Sequence, residues 1–323
     1  MPKEHPESRL DLEAFEILRK RLGIDYVVTR LERQQSHRPS WLQRGRKLFP
    51  WKRLFLRLHF IKALLRILGI YGWGHRNYLD IRLEEHQVVL PSLPRAFEGY
   101  RILQLTDLHI DLDEDLVGVL CERLQGLDYD LCVMTGDYRT SSVSRGTYKK
   151  SIERMKPILA CLKKPVYAIL GNHDWLQMVL PLEALGMQFL INESVSVEKN
   201  GESLYIVGVD DPRLYGLHDL KKARKTIPKD ACALLLSHTP ATYQEAYDEG
   251  YALLLAGHTH GGQICLPGGR VVLNNDVSPY FMARGAWSYE SLKGYTSRGV
   301  GACGIPVRYF CPPEITIHTL KSG

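Results

Sequence analysis

Residues 251–262 read Tyr-Ala-Leu-Leu-Leu-Ala-Gly-His-Thr-His-Gly-Gly. A short apolar run bounded by glycine suits a strand buried on both faces, and two imidazoles two residues apart follow it. His258 and His260 alone are weak grounds for a metal, because most histidines are surface or core residues without a ligand. The weight of the pair depends on whether other strands of the chain end in the same way.

They do. The apolar run 100–105 leads into Thr106-Asp107-Leu108-His109, and 131–134 into Thr135-Gly136-Asp137. Likewise 166–170 leads into Gly171-Asn172-His173-Asp174, and 231–236 into Ser237-His238. Five expected strands thus deliver Asp107, His109, Asp137, Asn172, His173, His238, His258 and His260 at their carboxyl ends, where an α/β sheet carries its functional loops. Helices are expected near 10–23, 115–125, 147–162, 176–185, 217–226 and 241–249. A further strand is expected at 204–209, after a hairpin turn at Lys199-Asn200-Gly201. This alternation predicts an α/β domain with buried sheets. Beyond Gly261 the chain is expected to be mostly β, with strands near 263–266, 270–273, 294–297, 307–310 and 314–320.

The donor set is imidazole, carboxylate and amide, with no thiolate. It favours Mn²⁺, iron or Zn²⁺ in a reactive site over a structural cysteine-bound zinc. Eight such groups exceed what one ion needs and suit two divalent cations bridged by a carboxylate, an arrangement used to cleave phosphoesters. His5, His37, His59, His75, His86, His218 and His318 lack such a context and are expected to be ordinary residues.

The blocks Asp107-Leu108-His109, Gly136-Asp137, Gly171-Asn172-His173-Asp174, His238 and Gly257-His258-Thr259-His260, in this order, resemble the calcineurin-like metallophosphoesterase family over residues 79–320. The resemblance implies a two-sheet β-sandwich flanked by helices. It implies Asp107, His109 and His260 on one metal, Asn172, His238 and His258 on the other, and Asp137 bridging. His173 would sit over the phosphoryl oxygens as the catalytic acid. Two divalent ions are the implied cofactors, manganese first and iron or zinc as substitutes. Gly208-Val209-Asp210-Asp211-Pro212, Gly261-Gly262-Gln263-Ile264 and Pro312-Pro313-Glu314-Ile315 extend the resemblance to a bacterial, often membrane-associated phosphodiesterase branch. Cys265 departs from that pattern, standing where the family often carries a basic residue. Arg139, Arg213 and Arg284 are the basic candidates for contacts with phosphate or sugar.

With 323 residues, 45% hydrophobic and 24% charged, the chain can bury a substantial core and is neither disordered nor wholly membrane-embedded. Its net charge of +6 is unevenly placed. Residues 33–79 hold eleven Lys or Arg and no acid, so the remainder is net acidic and no nucleic-acid partner is expected. Within 48–74, Leu54, Leu58, Ile61, Leu65 and Leu68 would form one stripe of a helix, with Lys52, Arg53, Arg57, Lys62 and Arg66 off it. Charges recur too often there for a transmembrane span, and Trp41, Trp51 and Trp73 cluster in the region. A basic helix of this kind suits the headgroup boundary of an anionic membrane. Residues 1–78 are therefore expected as a helical, membrane-interface segment and 79–323 as the catalytic domain, with 33–43 a polar linker. The seven cysteines include no Cys-x-x-Cys and suit a reducing compartment. With no secretory signal visible, the expected location is peripheral, at the cytoplasmic face of the inner membrane.

Three functions are compatible with these features. The UDP-2,3-diacylglucosamine hydrolases of lipid A synthesis, which the chain resembles, cleave a pyrophosphate whose acyl chains lie in a bilayer. A general phosphodiesterase would act on nucleotides or phospholipid headgroups. A membrane-docked binding protein with an inactive site is the third.

Overall fold

The computed structural model describes residues 10–36, 51–140, 147–163, 165–272 and 276–323, the side chains of 36, 51–58 and 147 excepted. Asp11 caps α1 (Leu12–Leu22), its Oδ1 accepting the Ala14 N–H at 2.7 Å, and Gly23 ends the helix at φ 95°. α2 (Ile24–Ser36) follows at once and takes in Arg33, where the polar linker was expected to begin; the rest of that expected linker lies outside the described residues. α3 (Trp51–Ile67) and α4 (Tyr71–Leu79) replace the single helix expected over 48–74, because the chain turns at Gly69 with φ 70°. Of the expected stripe, Leu65 packs inward while Ile61 and Leu68 are exposed; the side chains of Leu54 and Leu58 lie outside the described set.

Two six-stranded sheets follow. Strands β1 (Arg82–Leu90), β2 (Arg101–Leu105), β3 (Leu131–Met134), β4 (Val166–Ala168), β5 (Met187–Phe189) and β12 (Glu314–Ser322) form one, in the order β1-β12-β2-β3-β4-β5. Strands β6 (Glu193–Lys199), β7 (Glu202–Gly208), β8 (Ala233–Leu236), β9 (Leu253–Ala256), β10 (Gly285–Tyr289) and β11 (Leu292–Thr296) form the other, in the order β10-β11-β9-β8-β7-β6. β2 through β5 run parallel, as do β7, β8, β9 and β11. The hairpin expected at Lys199-Asn200-Gly201 joins β6 to β7, with both Asn200 and Gly201 at positive φ.

Side-chain alternation explains why these apolar runs form two packed sheets. In β2 and β3, Leu103, Leu105, Cys132 and Met134 face α1, α2, α5 (Asp115–Leu124) and α6 (Thr147–Cys161). Ile102, Leu131 and Val133 face the opposite way, onto Leu234, Leu236, Leu253 and Leu255 of the second sheet. On the far side of that sheet, Ala233, Leu235, Leu254 and Ala256 pack with residues such as Leu220 and Ala246 from α8 (Leu220–Arg224) and α9 (Tyr243–Asp248). A strand apolar on both faces must be covered on both, and the four-layer helix–sheet–sheet–helix stack is the result. Each fully buried leucine contributes about 1.5–3 kcal/mol.

Several elements differ from expectation. The helices expected at 176–185 and 241–249 shorten to α7 (Val179–Glu183) and α9, each after a 3-10 turn, with Pro181 inside the first and Pro240 opening the second turn. The strands expected at 263–266, 270–273 and 307–310 reduce to single bridges, Ile264 with Tyr309 and Leu266 with Arg270. β5 and β10 were not anticipated: β5 has three residues, and β10 buries only Trp287. Leu18, Leu22 and Val27 lie in the same core as β2 and β3, so the boundary expected at 78/79 does not mark a change of core.

Candidate active site

The carboxyl ends of β2, β3 and β4 from one sheet and of β8 and β9 from the other meet along one edge of the sandwich. Asp107, His109, Asp137, His258 and His260 all take positive φ, between 41° and 71°. Residues with side chains rarely adopt this conformation, which costs about 1–3 kcal/mol where the surrounding fold imposes it. The fold imposes it here through backbone contacts between loops. Asp107 N–H donates to Gly136 O, His109 N–H to Asp137 O, and Gly257 N–H to His238 O. Gly257 is required by close approach: a Cβ there would lie 2.2 Å from Thr106 Oγ1 and 2.3 Å from Asp107 Oδ2. Gly171 sits as tightly, its notional Cβ 2.2 Å from Asp137 Oδ1.

Two adjacent groups of donor atoms result, Asp107 with His109 and His260, and Asp137 with His238 and His258; within each, the ligand atoms lie inside 4.8 Å of one another. His260 Nε2 is 3.1 Å from His109 Nε2 and 3.4 Å from Asp107 Oδ1. Asn172 joins the second group, its Oδ1 3.1 Å from His238 Nε2. Asp137 Oδ2 reaches both groups, 3.2 Å from His238 Nε2 and 3.7 Å from His109 Nε2. That is the position expected of a bridge.

The donor chemistry fits two cations. His109 Nδ1 faces the Arg139 carbonyl at 2.7 Å and His238 Nδ1 the Thr135 carbonyl at 2.7 Å. A carbonyl only accepts, so both Nδ1 atoms carry a proton and both Nε2 atoms face the site, the usual support for a metal-binding imidazole; on His238 a cation would take the place of the Nε2 proton. His258 Nε2 is buried with no hydrogen-bond partner. Buried orphan nitrogens are costly in a finished structure unless something binds them.

Electrostatics point the same way. Burial pushes His109 and His260 below the ordinary imidazole range and His258 down to about 3, leaving three neutral donors. In His238 burial opposes the charge, yet Asp137 and Asp107 outweigh it and hold the ring up to about 10. Burial also opposes the charge on Asp137, but His238 and His173 keep that carboxylate well below its usual range. Desolvation raises Asp107. A buried pair of carboxylates among mostly neutral rings is a receptor for positive charge.

His173 stands at the open side, its side chain 20% exposed and Nε2 3.9 Å from Asp137 Oδ2. Burial opposes its charged form and lowers its pKa, while Asp137 acts the other way. Asp174, next in sequence, does not orient it. Its carboxylate instead accepts the N–H groups of Asp137, Tyr138 and Gly171 at 2.7, 2.9 and 2.8 Å, tying two strand-end loops together.

The three arginines fare differently. Arg139 is completely buried, its guanidinium lies 4.3 Å from the Trp175 ring centroid, and its charge contributes to the lowering of His173. Arg213 is partly exposed, pairs with Asp276 at 3.0 Å and depresses His258, which keeps it at the rim. Arg284 lies under the turn at Gly269, beside Cys265 and Cys311, and is not brought to the donor groups.

Sequence reasoning missed Arg30 and Arg308. Arg30 Nε bonds Asp210 at 2.9 Å in a fully buried ion pair, while Nη2 donates to the Asp174 carbonyl. Arg308, also fully buried, donates to the carbonyls of Arg298, Gly299 and Gly301 and, at 3.3 Å, of His260. A single arginine inside an apolar run was the available signal for Arg308. His75, expected to be ordinary, forms a third group with Asp113 and Asp115, and its Nε2 is already paired with Asp113 at 2.8 Å.

Residues 100–262 match Metallophos, the calcineurin-like phosphoesterase family. The metallophosphoesterase YkuE of Bacillus subtilis is 30% identical over 266 residues, covering 78% of this chain and 90% of that one. Phosphodiesterase YaeI of Escherichia coli is 26% identical across 77% of this chain and 93% of its own length. A zebrafish transmembrane protein with a metallophosphoesterase domain is 27% identical, covering 80% of this chain and 61% of that protein. With paired donor groups on the strand ends that the family match spans, this chain belongs to the calcineurin-like phosphoesterase family and is a metal-dependent phosphoesterase.

Proposed function

We propose that this enzyme hydrolyses a phosphodiester or pyrophosphate carried by a lipid at a membrane surface, with UDP-2,3-diacylglucosamine, cleaved to UMP and 2,3-diacylglucosamine 1-phosphate, as the leading candidate. The observation that carries the reading is the position of α3 and α4. Tyr309 Oη donates to Ile70 O at 2.9 Å, Arg308 N–H donates to Gly74 O, and Tyr309 in turn pairs with Gln263 and Cys265, directly after His260. The basic, apolar helix is thereby joined to the loop that carries the metal-ligand histidines. Among the described residues no helix is long and apolar enough to cross a membrane, so contact with the headgroup layer is the mode proposed.

When bound, two divalent ions held by Asp107, His109 and His260 and by Asn172, His238 and His258 would polarise the phosphoryl oxygens and ready a water for in-line attack. Manganese is the proposed ion, with iron or zinc as alternatives that the same donors accept. Asp137 spans the two groups and is oriented by the His173 N–H, which donates to its Oδ1 at 2.8 Å. The His173 ring donates from the open side to a phosphoryl or leaving oxygen. Arg213 adds positive charge at the rim.

The test is UMP release from UDP-2,3-diacylglucosamine by the full chain with Mn²⁺. Turnover at least about tenfold above that of bis-p-nitrophenyl phosphate is expected if the lipid supplies binding energy to the reaction. No release with Mn²⁺, Fe²⁺ or Zn²⁺ overturns this substrate. A second reading, a general phosphodiesterase, is favoured by the name of the Escherichia coli relative; it predicts comparable turnover of both compounds, indifferent to detergent.

A further inference from the structure

The enzyme exposes a second apolar surface, outside the basic helix and next to the site. Two-thirds of the exposed large hydrophobic side chains among the described residues fall in just two places, residues 60–73 and the group formed by 264–281 with Phe310. In the second place Leu266, Tyr280 and Phe281 are 52–61% exposed and Val277 is 85% exposed. Contacts tie several of them together on the chain that leaves the ligand histidines. Ile264 bridges to Tyr309, and the Trp73 ring meets those of Tyr309 and Phe310 edge-on at 5.1 and 5.4 Å. Tyr280 Oη donates to Val272 O, and Thr259, between the two ligand histidines, donates to Ala283 O. Phe310 itself takes φ 53°, a strained conformation for a bulky residue, and is 42% exposed beside Trp73.

Charge identifies the partner. Between Gly261 and Arg284 the only acid is Asp276, and Arg213 pairs with it. Residues 299–313 contain no acid at all. Arg270 is exposed within this stretch, and Arg66 is exposed on α3 with its guanidinium 5.0 Å from the Tyr71 ring. An apolar rim carrying cations and no unpaired acid is complementary to an anionic lipid surface, which accepts aromatic and aliphatic side chains at the headgroup boundary. We infer that Leu266, Val272, Val277, Tyr280, Phe281 and Phe310, continuous with Trp73, dock on an anionic bilayer and hold the mouth of the active site against it. This deepens the lipid-substrate reading and rests on it.

The experiment is flotation of the metal-loaded full chain with phosphatidylcholine vesicles, plain or containing roughly one-third phosphatidylglycerol. Wild type is expected to float with the anionic vesicles only. Leu266→Asp combined with Phe281→Asp is expected to weaken that partition by about tenfold or more, with turnover of soluble bis-p-nitrophenyl phosphate unchanged. Should the double variant misfold, Phe281→Trp read by quenching from brominated lipid gives the same answer: quenching in excess of the wild type, whose five tryptophans set the baseline, supports docking, and none beyond that baseline overturns it. Equal flotation of wild type and a folded double variant overturns the proposal, as does a dimer in solution that Leu266→Asp disperses, which would give the face to a second copy. Variant-sensitive vesicle binding without hydrolysis of any lipid-linked diester leaves the docking face standing and removes the substrate reading. Lipid-diester turnover in detergent without vesicle binding does the reverse.

Discussion

Asp137 is the residue on which most of the site converges. Its Oδ2 faces both donor groups, its Oδ1 accepts the His173 N–H, and its backbone is held by Asp174. Asp137→Asn removes the charge between the groups, and His258→Ala opens the second group. Both are expected to abolish metal-dependent hydrolysis, seen as a loss beyond about 10³-fold in kcat/KM. His173→Ala should instead retain bound metal and lose about 10²- to 10⁴-fold in turnover; normal turnover in that variant removes His173 from the chemistry. Gly257→Ala probes geometry alone. Its methyl would drive into Thr106 and Asp107, so metal affinity measured by titration should fall while the fold persists. The ligand types were legible in the sequence because each followed an apolar run. The left-handed backbone of five of them was not, since nothing about an aspartate or histidine announces its φ. Nor was the need for Gly257, which leaves a gap that Asp107 and Thr106 fill.

Among the elements, α2 shows most clearly where pattern reading stopped. Its segment Ile24–Ser36 mixes charges and reads as a surface or a linker, yet Arg30 is fully buried. The reason lies far along the chain, in Asp210, which accepts from Arg30 and from Tyr26 Oη, and in Tyr215, whose ring lies 3.2 Å beneath the guanidinium. A buried arginine needs a partner that its own segment does not contain, and only the fold supplies it. Arg30→Ala strands Asp210 in the interior and should destabilise the protein by about 3–5 kcal/mol, read as a lower denaturant midpoint. A midpoint within the wild-type error would mean that water or another cation replaces the guanidinium. Strands β2, β3, β4, β8 and β9 were readable because burial on both faces leaves a continuous apolar run. The stretch 263–272 was not, because Ile264, Leu266 and Val272 are exposed and the segment pairs only through single bridges.

At the scale of the whole molecule, two sheets that contribute to one edge explain why ligands 153 residues apart, Asp107 and His260, share one group. The order of motifs foretold that convergence, and the family resemblance foretold the sandwich. The division into an anchor and a catalytic domain was drawn from charge, and charge does not report packing: Leu18, Leu22 and Val27 belong to the main core. Deleting the first 75 residues is therefore expected to destabilise the enzyme, read as a lower denaturant midpoint. Lys62→Glu with Arg66→Glu is the informative change for α3. It should weaken partition onto anionic vesicles by about fivefold per charge at low salt, with the difference shrinking as salt rises; no change would separate the basic helix from any lipid role. The central claim, that the two donor groups form one two-metal hydrolytic centre, is tested most directly by stripping the protein with chelator and titrating Mn²⁺ back while following bis-p-nitrophenyl phosphate hydrolysis. Activity should be absent without metal, rise with Mn²⁺ and level off near about two equivalents per chain, and Asp137→Asn should stay flat throughout; full hydrolysis by metal-free protein would contradict the account.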